Sequence, residues 1–261
     1  MYVVVIDGVG ARPVAEQLAE AMETKGPTAI VQMSATPVAA SAVSRINIDP
    51  SGGWKGQSGR ASSLQAQLEL LAPKHRYAIV VTAEDTSWPT VVAGEDRVHG
   101  DLISEPTPRS ELPIEEMIER LEETEPYVTL ESLVQEVKNS DNSPHAGAIS
   151  TFTGRVRMKE SSDDVATEYL EFETYTGVAA EKMAAIEREL LEREGVFEVR
   201  MHHRTGVIQA EEDIVFVVVL AGHRDEAFRT VEDGINRLKA EVPIFKKEVT
   251  VTEEFWVHTR P

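Results

Sequence analysis

Leu238-Lys-Ala-Glu-Val-Pro-Ile-Phe-Lys-Lys-Glu248 holds three of the nine lysines in a 261-residue chain whose formal net charge is -19. Positive charge is kept here while the rest of the chain has lost it, and the pattern around it sets the local fold. Upstream, Phe228, Val231, Ile235 and Leu238 recur at intervals of three and four, which places them on one face of a helix with Asp225 as its cap. Pro243 removes a backbone donor and disfavours helical geometry at Val242, so the helix stops there and Ile244 to Lys247 continue extended. Lys239 is then expected on the last helical turn and Lys246 on the following segment, close enough to face one cavity. The residues alone leave a second reading open: a basic helix C-terminus favoured by the macrodipole, followed by a solvated strand edge.

The length suits one or two domains, each with a buried core. With 45 acidic residues against 26 basic ones, the chain lacks the positive field that nucleic acids and anionic membranes require. Hydrated carboxylates and scarce lysines suit concentrated salt, so the composition is read as halophilic. No cysteine is present, which excludes disulfides, thiolate metal sites and a cysteine nucleophile; any sulfur chemistry must use sulfur brought by a partner. The start, Met-Tyr-Val-Val-Val-Ile-Asp7, has no basic flank and no long apolar run, so neither a signal peptide nor a membrane span is expected and the location is read as cytoplasmic.

The first half opens as strand, glycine turn and helix: Tyr2 to Ile6, Asp7-Gly8-Val9-Gly10, then Pro13 to Thr24 with Val14, Leu18, Ala21 and Met22 inward. A phosphate-cradling loop needs a lysine for the phosphates and a hydroxyl for magnesium, and Gly8-Val9-Gly10-Ala11-Arg12-Pro13 has neither. Ile30 to Met33, Tyr77 to Thr82 and the stretch after Trp88-Pro89 read as strands, and Leu64, Leu68 and Leu71 mark a helix. Ser51 to Gly59 reads as an exposed loop. The order of elements over residues 1 to 105 resembles the molybdopterin-guanine dinucleotide biosynthesis adaptor (MobB-like) family, a P-loop fold, with Glu84-Asp85 and Pro89 where that family has an acidic turn and a proline. The resemblance implies a P-loop-like α/β domain without a functional phosphate loop.

Glu105 to Pro113 carries three prolines in nine residues and reads as a stiff connector. Ile114, Met117, Ile118 and Leu121 form an amphipathic helix, and residues 106–125 together are assigned as a proline-rich, acidic helical linker. A further helix follows with Thr129 as its cap and Leu130, Leu133, Val134 and Val137 inward.

In the second half, Gly147-Ala-Ile-Ser-Thr-Phe-Thr-Gly-Arg-Val-Arg157 is a strand ending at two arginines. Spaced by two on extended chain, Arg155 and Arg157 share a face and are placed to grip one anion. Glu168 to Glu173 alternates as a strand with Leu170 and Phe172 inward, Gly177 to Glu194 is helical, and Phe197, Val199, Met201 and His203 alternate along another strand. Adjacent His202 and His203 point to opposite strand faces, which excludes a paired metal site. Ile214 to Leu220 is seven consecutive apolar residues, the central strand, and runs into Ala221-Gly222-His223-Arg224-Asp225 where a helix begins. A basic pair at such a junction suits phosphate. Arg155, Arg157, His223, Arg224, Lys239, Lys246 and Lys247 together describe an anion pocket in an anionic protein.

Residues 127 to 257 resemble the catalytic large-subunit family of molybdopterin synthase, the MoaE family. The carrying motifs are Gly147-Ala-x-x-Thr151-Phe-Thr-Gly-Arg-Val-Arg157, His203-Arg-x-Gly206, His223-Arg-x-x-Ala227-Phe228, and Leu238-Lys-x-x-x-Pro243-Ile-Phe-Lys-Lys-Glu248, with Trp256 downstream. Phe245 stands where many members have tryptophan. The resemblance implies an α/β hammerhead domain over residues 126–261, α+β in class. It also implies a sulfurtransferase that converts cyclic pyranopterin monophosphate to molybdopterin by building its dithiolene.

The sulfur would arrive as a thiocarboxylate on the C-terminal glycine of a small ubiquitin-like carrier, with the large subunit a homodimer inside a heterotetramer. Carried over residue by residue, Lys239 and Lys246 are the catalytic pair. Arg155, Val156, Arg157, His223, Arg224, Lys239, Lys246, Lys247 and Glu248 are substrate-binding positions. A lysine among other cations is pushed towards the neutral form, fit for acid/base or nucleophilic work, whereas a retained charge stabilises an oxyanion or phosphate; the sequence leaves both roles open. No metal or organic cofactor is expected at the step. The competing reading is a non-catalytic scaffold that holds pterin intermediates.

Overall fold

The structure is a computed structural model and describes residues 1–33, 44–48, 64–83, 86, 88–159, 161, 165–175 and 177–257. The loop expected at 51–59 and the acidic pair Glu84-Asp85 lie outside the described residues. The chain divides into two compact units, Met1–Ser132 and Leu133–Pro261. Among the described residues no helix is long and apolar enough to cross a membrane.

The first unit is built on β1 (Tyr2–Asp7), α1 (Ala11–Glu23), β2 (Thr28–Met33), β3 (Ser44–Ile48), α2 (Leu64–Leu71), β4 (Tyr77–Val81), β5 (Thr90–Ala93), β6 (Arg97–Gly100), β7 (Thr107–Pro108) and α3 (Ile114–Glu122). One sheet runs in the order β3-β2-β4-β1-β5-β6-β7, parallel through β5 and antiparallel beyond it. The apolar run of β1 is explained by burial on both faces, as parallel strands require. Val4 and Ile6 join Val14, Leu18 and Met22 of α1 in one core, while Val3 and Val5 join Leu68 and Leu71 of α2 in the other.

The segment 106–125 is corrected by the structure. Met117, Ile118 and Leu121 of α3 are fully buried in the α1-side core, so the helix belongs to the first unit and is not a linker. Glu122 accepts hydrogen bonds from Arg76 and from the Tyr77 hydroxyl, which fastens the end of α3 to the start of β4. Burial pushes the Tyr77 phenol up to about 12.

The boundary between the units falls inside α4 (Leu130–Lys138). Its cap is the one expected, and reciprocal: the Ser132 amide donates to Thr129 Oγ1 at 3.1 Å and the Thr129 amide to Ser132 Oγ at 3.0 Å. Beyond it come β8 (Ala148–Arg155), β9 (Thr167–Thr174), α5 (Val178–Leu191), β10 (Val196–His203), β11 (Gly206–Gln209), β12 (Asp213–Ala221), α6 (Arg224–Glu241), β13 (Ile244–Thr250) and β14 (Glu254–Trp256). They form two antiparallel sheets, β10-β12-β8 and β11-β9-β13-β14, and the class of the whole is α+β.

β12 is central, as its unbroken apolar run demands. Val215, Val217 and Val219 meet α5 and α6 in a core that includes Ile186, Leu190, Val231, Ile235 and Leu238. Gly234 allows the close approach of α6, because a Cβ there would lie 2.8 Å from the Met201 methyl. Truncating Leu238 in this core costs on the order of 2–5 kcal/mol. Two sequence expectations for α6 are corrected. Phe228 is 61% exposed and Ala227 takes its place in the buried stripe. The N-cap is His223, while Asp225 lies within the first turn. At the other end Val242 is extended (φ -88°, ψ 122°), as the residue before Pro243 should be.

Candidate active site

β8 runs antiparallel to β12, with Arg155 opposite Asp213 and Ala148 opposite Ala221. The chain leaves β12 at Ala221, turns through Gly222-His223 and packs back along β12 and β8 as α6. Lys239, on the last turn of α6, therefore returns to the end of the sheet where Arg155 lies, while His223 and Arg224 stay at the other end. Helical rise alone separates Arg224 from Lys239 by about 22 Å. Arg155, Val156 and Arg157 lie at the end of β8 to which Lys239 returns, Lys246 and Glu248 lie on β13, whose Ile244 packs against the cluster that holds Val156, and His223 and Arg224 lie at the opposite end of α6.

At the first end, Val156 is buried with Leu170, Phe172 and Ile208, and Ile244 packs against them. Its amide donates to the Glu212 carbonyl at 2.9 Å and its carbonyl accepts from the Glu211 amide at 2.8 Å. Val156 is thus a fixed post between two arginines, with its side chain committed to the core. Arg155 turns back to pair with Asp213 at 3.0 Å and to donate to the Glu211 carbonyl, so the expected two-arginine grip is not made in this arrangement. Both partners of that ion pair are exposed, so it is worth at most about 1 kcal/mol and exchanges readily for another anion. Arg157 lies beyond the strand end and is exposed.

The pleat of β13 sorts its charges. Lys246 stands opposite Phe172 and Glu248 opposite Leu170, so both share the inner face of the sheet with buried apolar residues, and both are half-buried. Lys247 emerges on the outer face, where it pairs with Glu254 at 2.8 Å, and that hydrogen bond holds its ammonium above the ordinary lysine range. Lys247 is therefore not brought together with Lys246. Glu248 accepts a hydrogen bond from the hydroxyl of Thr167, a residue that sequence reading missed because cross-strand register is invisible in a single sequence.

Arg237 is neutralised by Glu189 and Glu241, and Arg200 by Glu136 and Glu198. Lys239 and Lys246 are different. Among the described residues no carboxylate lies within ion-pair distance of either, in a chain that carries 45 acids. The histidines on β10 add no charge. His202 stacks on Phe216, and burial pushes its imidazole down to about 4. His203 meets Phe172 edge-on at 4.9 Å, with Nδ1 2.8 Å from the Arg204 carbonyl, and burial lowers it also. Both are structural.

The glycine turn of the first unit is closed on itself. The Gly8 amide donates to the Asp7 carboxylate at 2.5 Å, Gly10 to the Ala93 carbonyl at 2.8 Å and Ala11 to the Gly8 carbonyl at 3.0 Å. Gly8 has φ +95°, and a Cβ there would sit 2.4 Å from the Ala93 carbonyl oxygen. The glycines serve close packing against β5, and a carboxylate holds an amide that a phosphate would need.

The MoaE protein family model matches residues 124–241. Over the full length of both proteins the chain is 46% identical to a probable molybdopterin synthase of Haloferax volcanii. It is 37% identical to the molybdopterin synthase catalytic subunit of Halalkalibacterium halodurans, over 48% of this chain and 79% of that protein. The crystal structure of molybdopterin synthase from Staphylococcus aureus matches 44% of this chain and 82% of that one, with 38% identity and a TM-score of 0.41. The end-to-end identity with the first of these, together with the family match across the second unit, places the protein: the chain belongs to the MoaE family of molybdopterin synthases.

Proposed function

We propose that the protein is the catalytic subunit of a molybdopterin synthase. It takes sulfur from the C-terminal thiocarboxylate of a small ubiquitin-like carrier and places it on cyclic pyranopterin monophosphate, forming the dithiolene. The observation that carries this reading is the pair of unneutralised lysines, Lys239 and Lys246, delivered to one end of the sheet by the break at Pro243. A cation that is not neutralised by the protein is available to a carboxyl-derived or phosphorylated reactant, and both reactants here are of that kind. Arg157, and Arg155 once it exchanges Asp213 for substrate, supply further positive charge, and Glu248 on the inner face of β13 completes the set.

His223 and Arg224 join this site from a second copy of the chain. An α6 helix of 18 residues holds them too far from the lysines of their own chain, and a homodimer, within a heterotetramer with the carrier, restores the full set at each of two sites. Lys247 enters the substrate set only if its pairing with Glu254 is given up.

The scaffold reading lacks an observation in its favour, since holding a pterin does not require two unneutralised lysines. For the first unit, the five-strand parallel core suits a degenerate MobB-like, P-loop-like domain. The self-satisfied turn at Gly8–Gly10 argues that such a domain no longer holds nucleotide. The decisive experiment mixes the chain with a thiocarboxylated carrier and the cyclic pterin in concentrated salt and assays for molybdopterin. Formation of molybdopterin is expected, and its absence with a carrier that supports another synthase overturns the reading.

A further inference from the structure

β9 breaks the two-residue rhythm of a strand. Thr167, Leu170 and Phe172 are buried while Glu168 is exposed, so the spacing between the first two inward residues is three. The cause is an irregularity in the ladder with β13. Glu248 pairs with Leu170 and Val249 with Tyr169, but Thr250 pairs with Thr167, leaving Glu168 as the extra residue. Such a bulge re-aims the side chains beyond it. Without it Glu168 would face inward beside Glu248, setting two carboxylates together; with it a hydroxyl faces Glu248 instead.

Thr167 is only 6% exposed, and its two donors tie separate parts of the proposed site. Its hydroxyl donates to the Glu248 carboxylate, and its amide donates at 2.8 Å to the carbonyl of Met158, the residue after Arg157. We propose that Thr167 is a positioning residue for the pterin site: its buried hydroxyl, turned inward by the β9 bulge, fixes the direction of the Glu248 carboxylate beside Lys246. This rests on the reading that Lys246 and Glu248 contact the substrate. The substrate's amide-like and amino donors need a carboxylate held at a set angle, and a side chain with three rotatable bonds, half-buried at a strand end, needs a second contact to hold one.

The test is a double-mutant cycle on the full chain with saturating thiocarboxylated carrier, measuring kcat and KM for the cyclic pterin. Thr167→Val keeps the shape and the amide bond to Met158 and removes only the hydroxyl. It is expected to lose roughly tenfold in kcat/KM, mainly through KM, as for one hydrogen bond to a charged group. Thr167→Ser should return to within about twofold of the parent, the residual allowed for a retained hydrogen bond. Thr167→Val combined with Glu248→Gln should be no worse than Glu248→Gln alone, because the hydroxyl acts through that carboxylate. Parent-like kinetics for Thr167→Val, an equal loss in Thr167→Ser, or additive losses in the pair would overturn the proposal. Lys239→Ala and Lys246→Ala run alongside: if they turn over normally, the site reading itself falls and takes this one with it. If they are inactive and Thr167→Val is normal, only the positioning role falls.

Discussion

The two ends of α6 carry the same sign of charge by different means. At its N-terminus His223 and Arg224 are exposed, and among the described residues Arg224 is offset only by a loose contact with Asp225 at 3.8 Å. Arg224, with His223 beside it, is simply placed at a helix start that already favours anions. At the C-terminus Lys239 follows Leu238, which is 2% exposed, and Lys246 shares a strand face with buried Phe172. There the backbone beside each charge is anchored in a core, while the Lys239 side chain is exposed and that of Lys246 is half-buried. A cation that only binds can tolerate loose placement, whereas one that takes part in chemistry must be held to a fraction of an ångström. On the proposed reading the lysine end carries the chemistry and the N-terminal end contributes binding energy.

That division is open to attack. Lys239→Ala should keep its fold, since the side chain is exposed, and lose roughly 10²–10⁴-fold in molybdopterin formation. With pterin well below KM, mixing Lys239→Ala with Arg224→Ala chains should yield a fraction of sites that turn over at the parent KM, because the proposed mixed dimer carries one intact site. Mixtures that show only the raised KM of Arg224→Ala, with subunit exchange verified by mass spectrometry, would show that each chain completes its own site. Arg224→Ala by itself should raise KM for the pterin about tenfold with kcat little changed, as expected for one charge-assisted contact. An equal fall in kcat would instead place Arg224 with the lysines in the chemistry.

A second comparison concerns the two strand-to-helix turns, β1 to α1 and β12 to α6. Both present a helix N-terminus, yet the first spends its amides on Asp7, Gly8 and Ala93 and the second carries His223 and Arg224. Gly8→Ala, by forcing a β-carbon against the Ala93 carbonyl at positive φ, should cost the first unit on the order of 2–3 kcal/mol, seen as a lowered melting transition. Synthase activity at low temperature should be unaffected. Loss of activity without unfolding would give the closed turn a part in catalysis.

Much of this was legible in the chain. The helix ending at Pro243, the strand of seven apolar residues and the Thr129 cap depend on neighbours in sequence, and the periodicity of apolar side chains reports them directly. The motifs around Arg155, His223, Lys239 and Lys246 likewise sufficed to place the family. What a linear reading pooled, the fold separated. The single anion pocket divided because an 18-residue helix is a rigid rod whose length is set by its rise, whatever its sequence. Lys246 and Lys247 parted because a strand alternates faces, and which face is inner depends on the partners Phe172 and Glu171 across the ladder. Phe228 fell outside the stripe because helical periodicity fixes a direction only to within one neighbouring position, and Ala227 packs more closely against the sheet. Thr167 meets Glu248 across 81 residues of chain through a bulge. Local chemistry determined the elements and the residue types of the site; long-range register alone decided which of those residues meet.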